Sequence, residues 1–181
     1  MAQLIELSDR GGLDYLQGFI QRGQNLGPLL KQIGVDLAES TTQRFDTATD
    51  PDGQPWAPNS PLTLARYSSL FARKKDGALT KSSATKLASK KPGTGTTGTL
   101  KSTINFQVHG QDTVGIGSPM VYAGTFNFGA KSGEFGFGMD ATRQGSFPIP
   151  WGNIPARRFL GLSAADKVNV ADLIRSYMLE G

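Results

Sequence analysis

The chain has 181 residues, a formal net charge of +4 and no cysteine. This length allows one domain with a proper core, and the lack of cysteine excludes disulfides, thiolate metal sites and a cysteine nucleophile. No apolar run reaches the ~20 residues that span a bilayer, and the first residues lack the basic start and apolar core of a signal peptide. We therefore expect a soluble protein that is made in a reducing compartment and has no membrane contact.

Two helices are predicted in the N-terminal part of the chain. Leu13, Leu16, Phe19 and Ile20 recur three or four residues apart and form one apolar stripe. A second helix is expected from about Pro28 to Phe45, because proline suits the first turn of a helix and the apolar spacing continues after it. A helical hairpin and a single kinked helix fit this pattern equally well.

A tight turn and a short helix are predicted next. The turn is Asp50–Gly53, where proline fixes φ, glycine accepts positive φ and aspartate accepts from its own backbone. Trp56 follows between two prolines, and we interpret it as a packing anchor, with a partner-binding hot spot as the alternative. The short helix is expected from Leu62 to Phe71, with Ser60 or Thr63 as its cap.

The basic segment, residues 66–101, separates the two halves of the chain. It holds nine of the 19 basic residues and one acid, giving it +8, whereas the remainder has ten bases and 14 acids and carries −4. From Leu79 onward only Leu87 and Leu100 are large and apolar. Burial of so little apolar area does not offset the entropy of ordering, so an isolated copy should be a flexible arm.

The C-terminal half is predicted to begin with an antiparallel sheet. Residues 103–109 alternate between apolar and polar side chains, which is typical of a half-buried strand. Residues 113–117 are expected to pair with it as a hairpin, and residues 121–128 to form a third strand. Residues 129–139 are rich in glycine and phenylalanine and predict an irregular hairpin or an ordered loop.

A helix is predicted to end the chain. Before it, prolines keep residues 147–151 extended. Ser163 and Asp166 have the spacing of a capping box, and Val170, Leu173, Ile174 and Tyr177 are expected to face inward. Helices, then a sheet with a long basic loop insertion, then a helix predict an α+β fold, in a single domain of residues 1–181 with its flexible arm at 66–101.

Three motifs suggest chemistry, and none meets its structural requirement. Gly93–Gly98 spells G-x-G-x-x-G but lacks the preceding strand that a dinucleotide site needs, so we interpret it as a linker. An EF-hand placed on Gly53 would put Ala48 and Asn59 where carboxylates are required. The single histidine, His109, has Ser118 as a potential nucleophile, but no carboxylate is assigned to orient it. We therefore predict no enzyme, no cofactor and no metal site.

A set of short motifs, taken in order, resembles the phage virion morphogenesis family of Mu-like and related tailed phages. The resemblance runs from about residue 28 to the end. The motifs are Arg44-Phe45, Asp50–Gly53 with Trp56, Thr99-Leu100 with Ser102 and Ile104, Gly115–Ser118, Tyr122-Ala123 with Phe128-Gly129, and Pro155–Arg157 with Phe159–Ser163.

This resemblance implies a virion protein of the neck or tail, assembled in the host cytoplasm. It implies a non-enzymatic subunit of a homo-oligomeric, hexameric ring around the DNA path, which completes the tail or joins it to the head. The implied neighbours are portal or connector proteins, or tail-tube and tail-terminator proteins. The candidate contacts between subunits are Trp56, Phe135, Phe137, Arg157 and Arg158.

The basic arm is the candidate contact with genomic DNA or with an acidic protein neighbour. Its candidate residues are Arg73, Lys74, Lys75, Lys81, Lys86, Lys90 and Lys91. Aromatic residues that could stack on bases occur only near its start, so we expect neutralisation of backbone charge without sequence recognition. The alternative function is accordingly a small nucleic-acid-binding protein that uses the arm to neutralise phosphates.

Overall fold

The computed structural model describes residues 10–70, 77–95, 97–140 and 145–180. Within these residues it has seven helices and two separate two-stranded antiparallel sheets, which confirms the predicted α+β class. In chain order the elements are α1 (Arg10–Gln24), α2 (Gly27–Thr47), α3 (Pro61–Ser68), α4 (Lys81–Ala88), α5 (Thr99–Ser102), β1 (Asn105–His109), β2 (Thr113–Gly117), α6 (Ala123–Phe128), β3 (Phe137–Asp140), β4 (Gly145–Pro148) and α7 (Ala164–Glu180).

Helix α2 lies at the centre of the fold. It contacts β1, β2, α5 and α7, and a proline in its first turn marks its start as predicted. Asn25 and Leu26 lie outside both helices, so α1 and α2 are two helices and not one kinked helix. The β1–β2 hairpin packs closely on α2 at Gly34, where an added Cβ would lie 2.3 Å from Cδ2 of Phe106.

The first core cluster is aromatic and lies at the C-terminal end of α2. Phe45 and Phe159 are fully buried, and Trp56 and Phe126 pack around them. The ring centroids of Phe45 and Trp56 are 5.1 Å apart in an edge-to-face arrangement. Complete burial of one such side chain stabilises the fold by about 1.5–3 kcal/mol, so this cluster is a main source of stability.

The second core cluster lies at the N-terminal end of α2. Leu29, Ile33 and Leu37 are buried there. Side chains of β2 and α7 that remain partly exposed pack against them. One wall of this cluster therefore remains open.

Helix α6 replaces the third strand predicted for residues 121–128, and that prediction was wrong. Phe126 N donates to the Tyr122 carbonyl at 2.9 Å, which is a helical hydrogen bond. Ala123 and Asn127 are buried and Phe126 packs on the first core cluster. Residues spaced i, i+3 and i+4 share one face only in a helix, so the helix satisfies the core where a strand would not.

Segment 154–161 is tied to α6 by backbone and side-chain hydrogen bonds. Asn127 Oδ1 accepts from Phe159 N at 3.0 Å and from Leu160 N at 3.1 Å. Gly129 ends α6 with φ of +77°, and a Cβ there would lie 2.7 Å from the Ile154 carbonyl oxygen. A positive φ and this close approach together require glycine, which explains the Phe128-Gly129 motif.

Several local predictions are confirmed. Asp50 Oδ1 accepts from Asp52 N and Gln54 N in the predicted turn. Ser60 is the cap of α3, since its Oγ accepts from Thr63 N at 3.2 Å. The helix predicted to run from Leu62 to Phe71 ends at Ser68, so its predicted C-terminal end was wrong; Phe71 itself lies outside the described residues.

Helix α7 begins with the predicted capping box and packs on α2. Ser163 Oγ accepts from Asp166 N at 3.0 Å, and Asp166 Oδ2 accepts from Ser163 N at 2.8 Å. Val170, Leu173 and Tyr177 pack on the second core cluster as predicted. The inward prediction was wrong for Ile174, which is 44% exposed.

Candidate functional site

The four candidate contact lysines that the structure describes fall into two groups. Lys81 and Lys86 are exposed on α4, whereas Lys90 and Lys91 contact the chain itself. The Lys90 ammonium donates to the Gly95 carbonyl and lies 4.8 Å from the ring centroid of Tyr67, and Lys91 donates to the Asp46 carbonyl. Arg73, Lys74 and Lys75 lie outside the described residues.

The basic segment carries secondary structure and contacts the body of the subunit. Thr80 caps α4, with its Oγ1 accepting from Ser83 N at 3.3 Å. Asn59 Nδ2 donates to the Lys90 carbonyl at 3.0 Å. Gly93 adopts a positive φ against the aromatic core, where a Cβ would lie 2.6 Å from Phe126 Cζ. The predicted linker is therefore a packed turn, and the flexibility of the arm in an isolated copy stays a prediction.

Trp56 and Arg157 lie inside the subunit. Trp56 is 7% exposed, and its Nε1 donates to the Arg158 carbonyl at 3.0 Å. Arg157 donates to the Ala57 and Pro58 carbonyls at 2.8 and 2.9 Å, and burial lowers the pKa of its guanidinium. Both side chains hold the proline-flanked Trp56 segment on the core, and little of either remains to contact a neighbour.

Arg158 points away from this core and pairs with the tight turn. Its guanidinium binds the carboxylate of Asp52 and lies 3.9 Å from that of Asp50. About half of the Arg158 side chain is exposed. Of the two adjacent arginines, Arg158 is the one with a surface to offer a partner.

The β3–β4 hairpin exposes large apolar side chains. Phe137 of β3 pairs in register with Pro148 of β4, and the Phe135 N–H extends the ladder by donating to the Ile149 carbonyl at 2.8 Å. A two-stranded hairpin alone is marginally stable in water. The exposed side chains, with exposures from 55% to 90%, are Phe135, Phe137, Met139 and Trp151.

Helix α1 exposes an apolar stripe that shares Leu16, Phe19 and Ile20 with the stripe predicted from the sequence and also includes Tyr15. Tyr15, Leu16, Phe19 and Ile20 are between 39% and 57% exposed. The helix packs against α7 near its own C-terminal end, where Arg22 Nε donates to the Met178 carbonyl at 3.0 Å. The side chains of residues 10–13, including Leu13, are outside the described set.

A large apolar cleft lies beside the second core cluster. It has a volume of about 480 Å³ and is formed by α2, β2, α7 and the segment before α7. Leu30, Ile33 and Leu37 of α2 form one wall, and Val170 and Ile174 of α7 form another. This is the size and apolar character of a ligand or docking site.

A buried ion pair joins two ionisable groups whose pKa values are both shifted, and the sequence did not reveal it. Arg44 Nη2 lies 2.6 Å from Asp166 Oδ2. Burial lowers the pKa of Arg44 against the opposing attraction of Asp166. Burial would raise the pKa of Asp166, but hydrogen bonds from Ser40 and Ser163 and the charge of Arg44 bring it below its ordinary value. Both residues lay in motifs noted above, but nothing in the sequence connected them.

This pair is structural and does not open onto a substrate site. Arg44 Nη1 donates to the carbonyls of Phe159 and Gly161 at 2.6 and 2.8 Å. Asp166 is occupied by Arg44 and by its own capping box with Ser163. With their hydrogen-bonding groups engaged in this way, neither residue is poised for acid–base chemistry.

The pairing of His109 with Ser118, which the sequence allows but does not predict, has no support from the hydrogen bonds of Ser118. Ser118 Oγ lies 2.9 Å from Thr103 Oγ1 and accepts from Met120 N at 3.3 Å. His109 lies on the exposed face of β1, with its ring over Gly115. Ser118 therefore holds the start of the loop after β2 against the segment before β1.

Among the residues that the structure describes, no helix combines the length and apolar character needed to cross a membrane. No curated protein and no solved structure matches the chain significantly. The model of the phage virion morphogenesis family matches residues 8–179. This match covers nearly the whole chain. The chain therefore belongs to the phage virion morphogenesis family, a family of structural and assembly proteins.

Proposed function

We propose that this chain is the neck or tail-completion subunit of a tailed phage, acting in a homo-oligomeric ring around the DNA path. Its role is to complete the tail or to join it to the filled head. The neighbours proposed for it are a portal or connector on one side and a tail-tube or tail-terminator protein on the other. Family membership supports a virion component, and the surfaces of the subunit support assembly.

The observation that carries the proposal is the exposed apolar area on separate elements of one small subunit. The β3–β4 hairpin exposes Phe137 and Met139, and α1 exposes Leu16 and Ile20. Soluble monomers rarely expose contiguous apolar patches larger than a few hundred Å². Burial between copies would remove this area from water, and two different patches per subunit suit the head-to-tail contacts of a ring.

The experiment is complementation of a phage that lacks this chain. We expect such a phage to accumulate filled heads and tails that are not joined, and the wild-type chain supplied in trans to restore joined particles that contain it. A Phe137→Glu variant should fold but fail to restore joined particles, whereas Gln43→Glu, which places the same charge at an exposed position of α2, should restore them. Normal infectious particles without the chain, or joined particles that never contain it, would refute the proposal.

Contact with genomic DNA is the second part of the proposal. Lys81 and Lys86 support it because both are exposed on α4. Lys90 and Lys91 are engaged with the Gly95 and Asp46 carbonyls. A contact through Lys81 and Lys86 would neutralise few phosphates, so one chain should bind free DNA weakly. We therefore propose that the contact forms where the ring surrounds DNA in its lumen.

A further inference from the structure

We propose that α1 of one subunit docks its exposed apolar stripe into the apolar cleft of a neighbouring copy. The inference rests on the proposed ring and names the contact that builds it. The stripe is formed by Tyr15, Leu16, Phe19 and Ile20, and the cleft by side chains of α2, β2 and α7.

The stripe on α1 has the form of a helix that is missing its partner. Leu16, Phe19 and Ile20 are spaced i, i+3 and i+4, which places them on one face. A helix of 15 residues is marginal in water without tertiary packing of its apolar face. Helix α1 packs on α7 near the α1 C-terminus, through Arg22 and Gly23. The stripe therefore needs another surface to cover it.

The cleft has the complementary form. A groove between helices that is lined by aliphatic side chains is the usual receptor for the apolar face of an amphipathic helix. Leu30, Ile33 and Leu37 present one ridge of α2 to the cleft, and Val114 and Val170 face them from β2 and α7. Filling the cleft would complete the second core cluster, which remains open in the single subunit.

The occupant is a second copy because α1 does not fill the cleft of its own chain. Only Asn25 and Leu26 separate α1 from α2, and Leu26 is itself packed on the second core cluster. Tyr177 Oη donates to the Asn25 carbonyl and holds this link against α7. With the link held there, the stripe is exposed while the cleft is open.

One α1–cleft contact is smaller than a typical stable interface. Such an interface buries about 800 Å² per partner, and a large aromatic side chain supplies roughly 150–250 Å² when it is fully buried. Tyr15 and Phe19 are aromatic, Leu16 and Ile20 are smaller, and all four are already about half-covered, so one α1 supplies at most roughly half of a partner's share. The exposed β3–β4 hairpin is available for the remaining area.

Cysteine cross-linking tests this contact directly, because the chain has no cysteine of its own. Ile20→Cys and Ile174→Cys proteins are mixed in equal amounts and oxidised. We expect a covalent dimer in the mixture and little in either variant alone. The control is Val168→Cys, which is exposed on α7 but does not line the cleft, and it should yield at least tenfold less dimer with Ile20→Cys.

A second pair of variants tests the contact without oxidation. Ile20→Glu and Ile174→Glu should each abolish rings, while a mixture of the two should form a dimer, because one copy keeps an intact cleft and the other an intact stripe. Val168→Glu should leave assembly unchanged. Thermal melts of each variant establish that the subunit is still folded.

The outcomes separate this inference from the proposed ring. If the wild-type chain forms oligomers but Ile20→Cys cross-links equally well to Val168→Cys, or the variant with both cysteines closes within one chain at high dilution, the inference is overturned and the ring proposal stands. If the wild-type chain is monomeric at every concentration, the ring proposal itself is refuted.

Discussion

Arg44 on α2 and Asp166 on α7 form a buried ion pair across 122 residues of sequence, with 2.6 Å between Nη2 and Oδ2 and side-chain exposures of 7% and 8%. The other guanidinium nitrogen donates to the Phe159 and Gly161 carbonyls. One side chain thereby joins the central helix, the segment that covers the aromatic core and the start of the C-terminal helix. This pair fixes the geometry on which both walls of the apolar cleft depend.

Breaking this pair should strongly destabilise the subunit. Arg44→Ala leaves the Asp166 carboxylate buried without its partner and two carbonyls without their donor, and we expect a loss of about 3–5 kcal/mol. Urea denaturation of the isolated subunit measures it. The matched control is Arg175→Ala, which breaks an exposed pair with Asp172 and should change the free energy of unfolding by about 1 kcal/mol or less. Equal losses in the two variants would contradict the role assigned to Arg44.

The same pair predicts a dependence of stability on pH at the acid end. The folded-state pKa of Asp166 lies below its ordinary value, which is about 3.9 for aspartate in an unfolded chain. A carboxyl with a lowered pKa adds stability above the unfolded pKa and loses it as pH falls through the folded pKa. The difference in free energy of unfolding between wild type and Asp166→Asn should be constant from about pH 7 to 5 and shrink below about pH 4. Denaturation at each pH measures it, and a difference that stays constant to pH 2 would refute the prediction.

Truncation of the two tryptophans should affect different properties, folding stability for Trp56 and assembly for Trp151. Trp56→Ala removes a buried ring from the aromatic core and a hydrogen bond to Arg158, and should cost about 3–5 kcal/mol. Trp151→Ala removes a side chain that is 75% exposed, and should cost the isolated subunit about 1 kcal/mol or less while weakening assembly. Melting temperatures and light scattering of both variants measure this. A Trp56→Ala subunit that melts normally but does not assemble would place Trp56 at an interface.

Gly34→Ala should lower the free energy of unfolding, although alanine is the better helix former. In an open helical position the change to alanine stabilises by about 0.5–1 kcal/mol. At Gly34 the new Cβ would collide with the Phe106 ring, so α2 and β1 must separate. Gly23→Ala in α1, where the nearest atom is 3.9 Å away, is the control and should be stabilising. Denaturation midpoints that rise for both variants would contradict the close packing of β1 on α2.

The exposed lysines of α4 make a separate prediction about DNA. Lys81→Gln with Lys86→Gln should lower the magnitude of the slope of log affinity against log salt for duplex DNA by about 2, since each phosphate contact contributes about 0.9. The matched control is Lys90→Gln with Lys91→Gln, whose native ammonium groups already contact the chain. Titrations at several salt concentrations measure the slopes, and equal slopes in all three proteins would exclude α4 as the contact.

Local signals in the sequence predicted much of the fold. The tight turn, the cap at Ser60, the capping box of α7 and the β1–β2 hairpin each depend on residues close together in the chain. Helix α6 was missed because its helical form is selected by the core, which needs Ala123, Phe126 and Asn127 on one face. The Arg44–Asp166 pair was missed because no local pattern specifies a partner 122 residues away.

The candidate site was predicted less well than the fold, for a different physical reason. Periodicity shows that the stripe on α1 must be covered, but it does not show whether the cover comes from the same molecule or another. Trp56 was interpreted as a packing anchor with a partner-binding hot spot as the alternative, and Arg157 was named as a candidate contact between subunits. In the structure both side chains are buried in the interior of the chain.

Native mass spectrometry of the purified chain over a range of concentrations measures whether the chain assembles into the proposed ring. One subunit weighs 19.3 kDa. We predict a closed oligomer at a fixed multiple of this mass, six in the proposed ring, which dissociates when Ile20 or Ile174 is replaced by glutamate. A mass of 19.3 kDa at every concentration, or a wild-type oligomer that both substitutions leave intact, would contradict it.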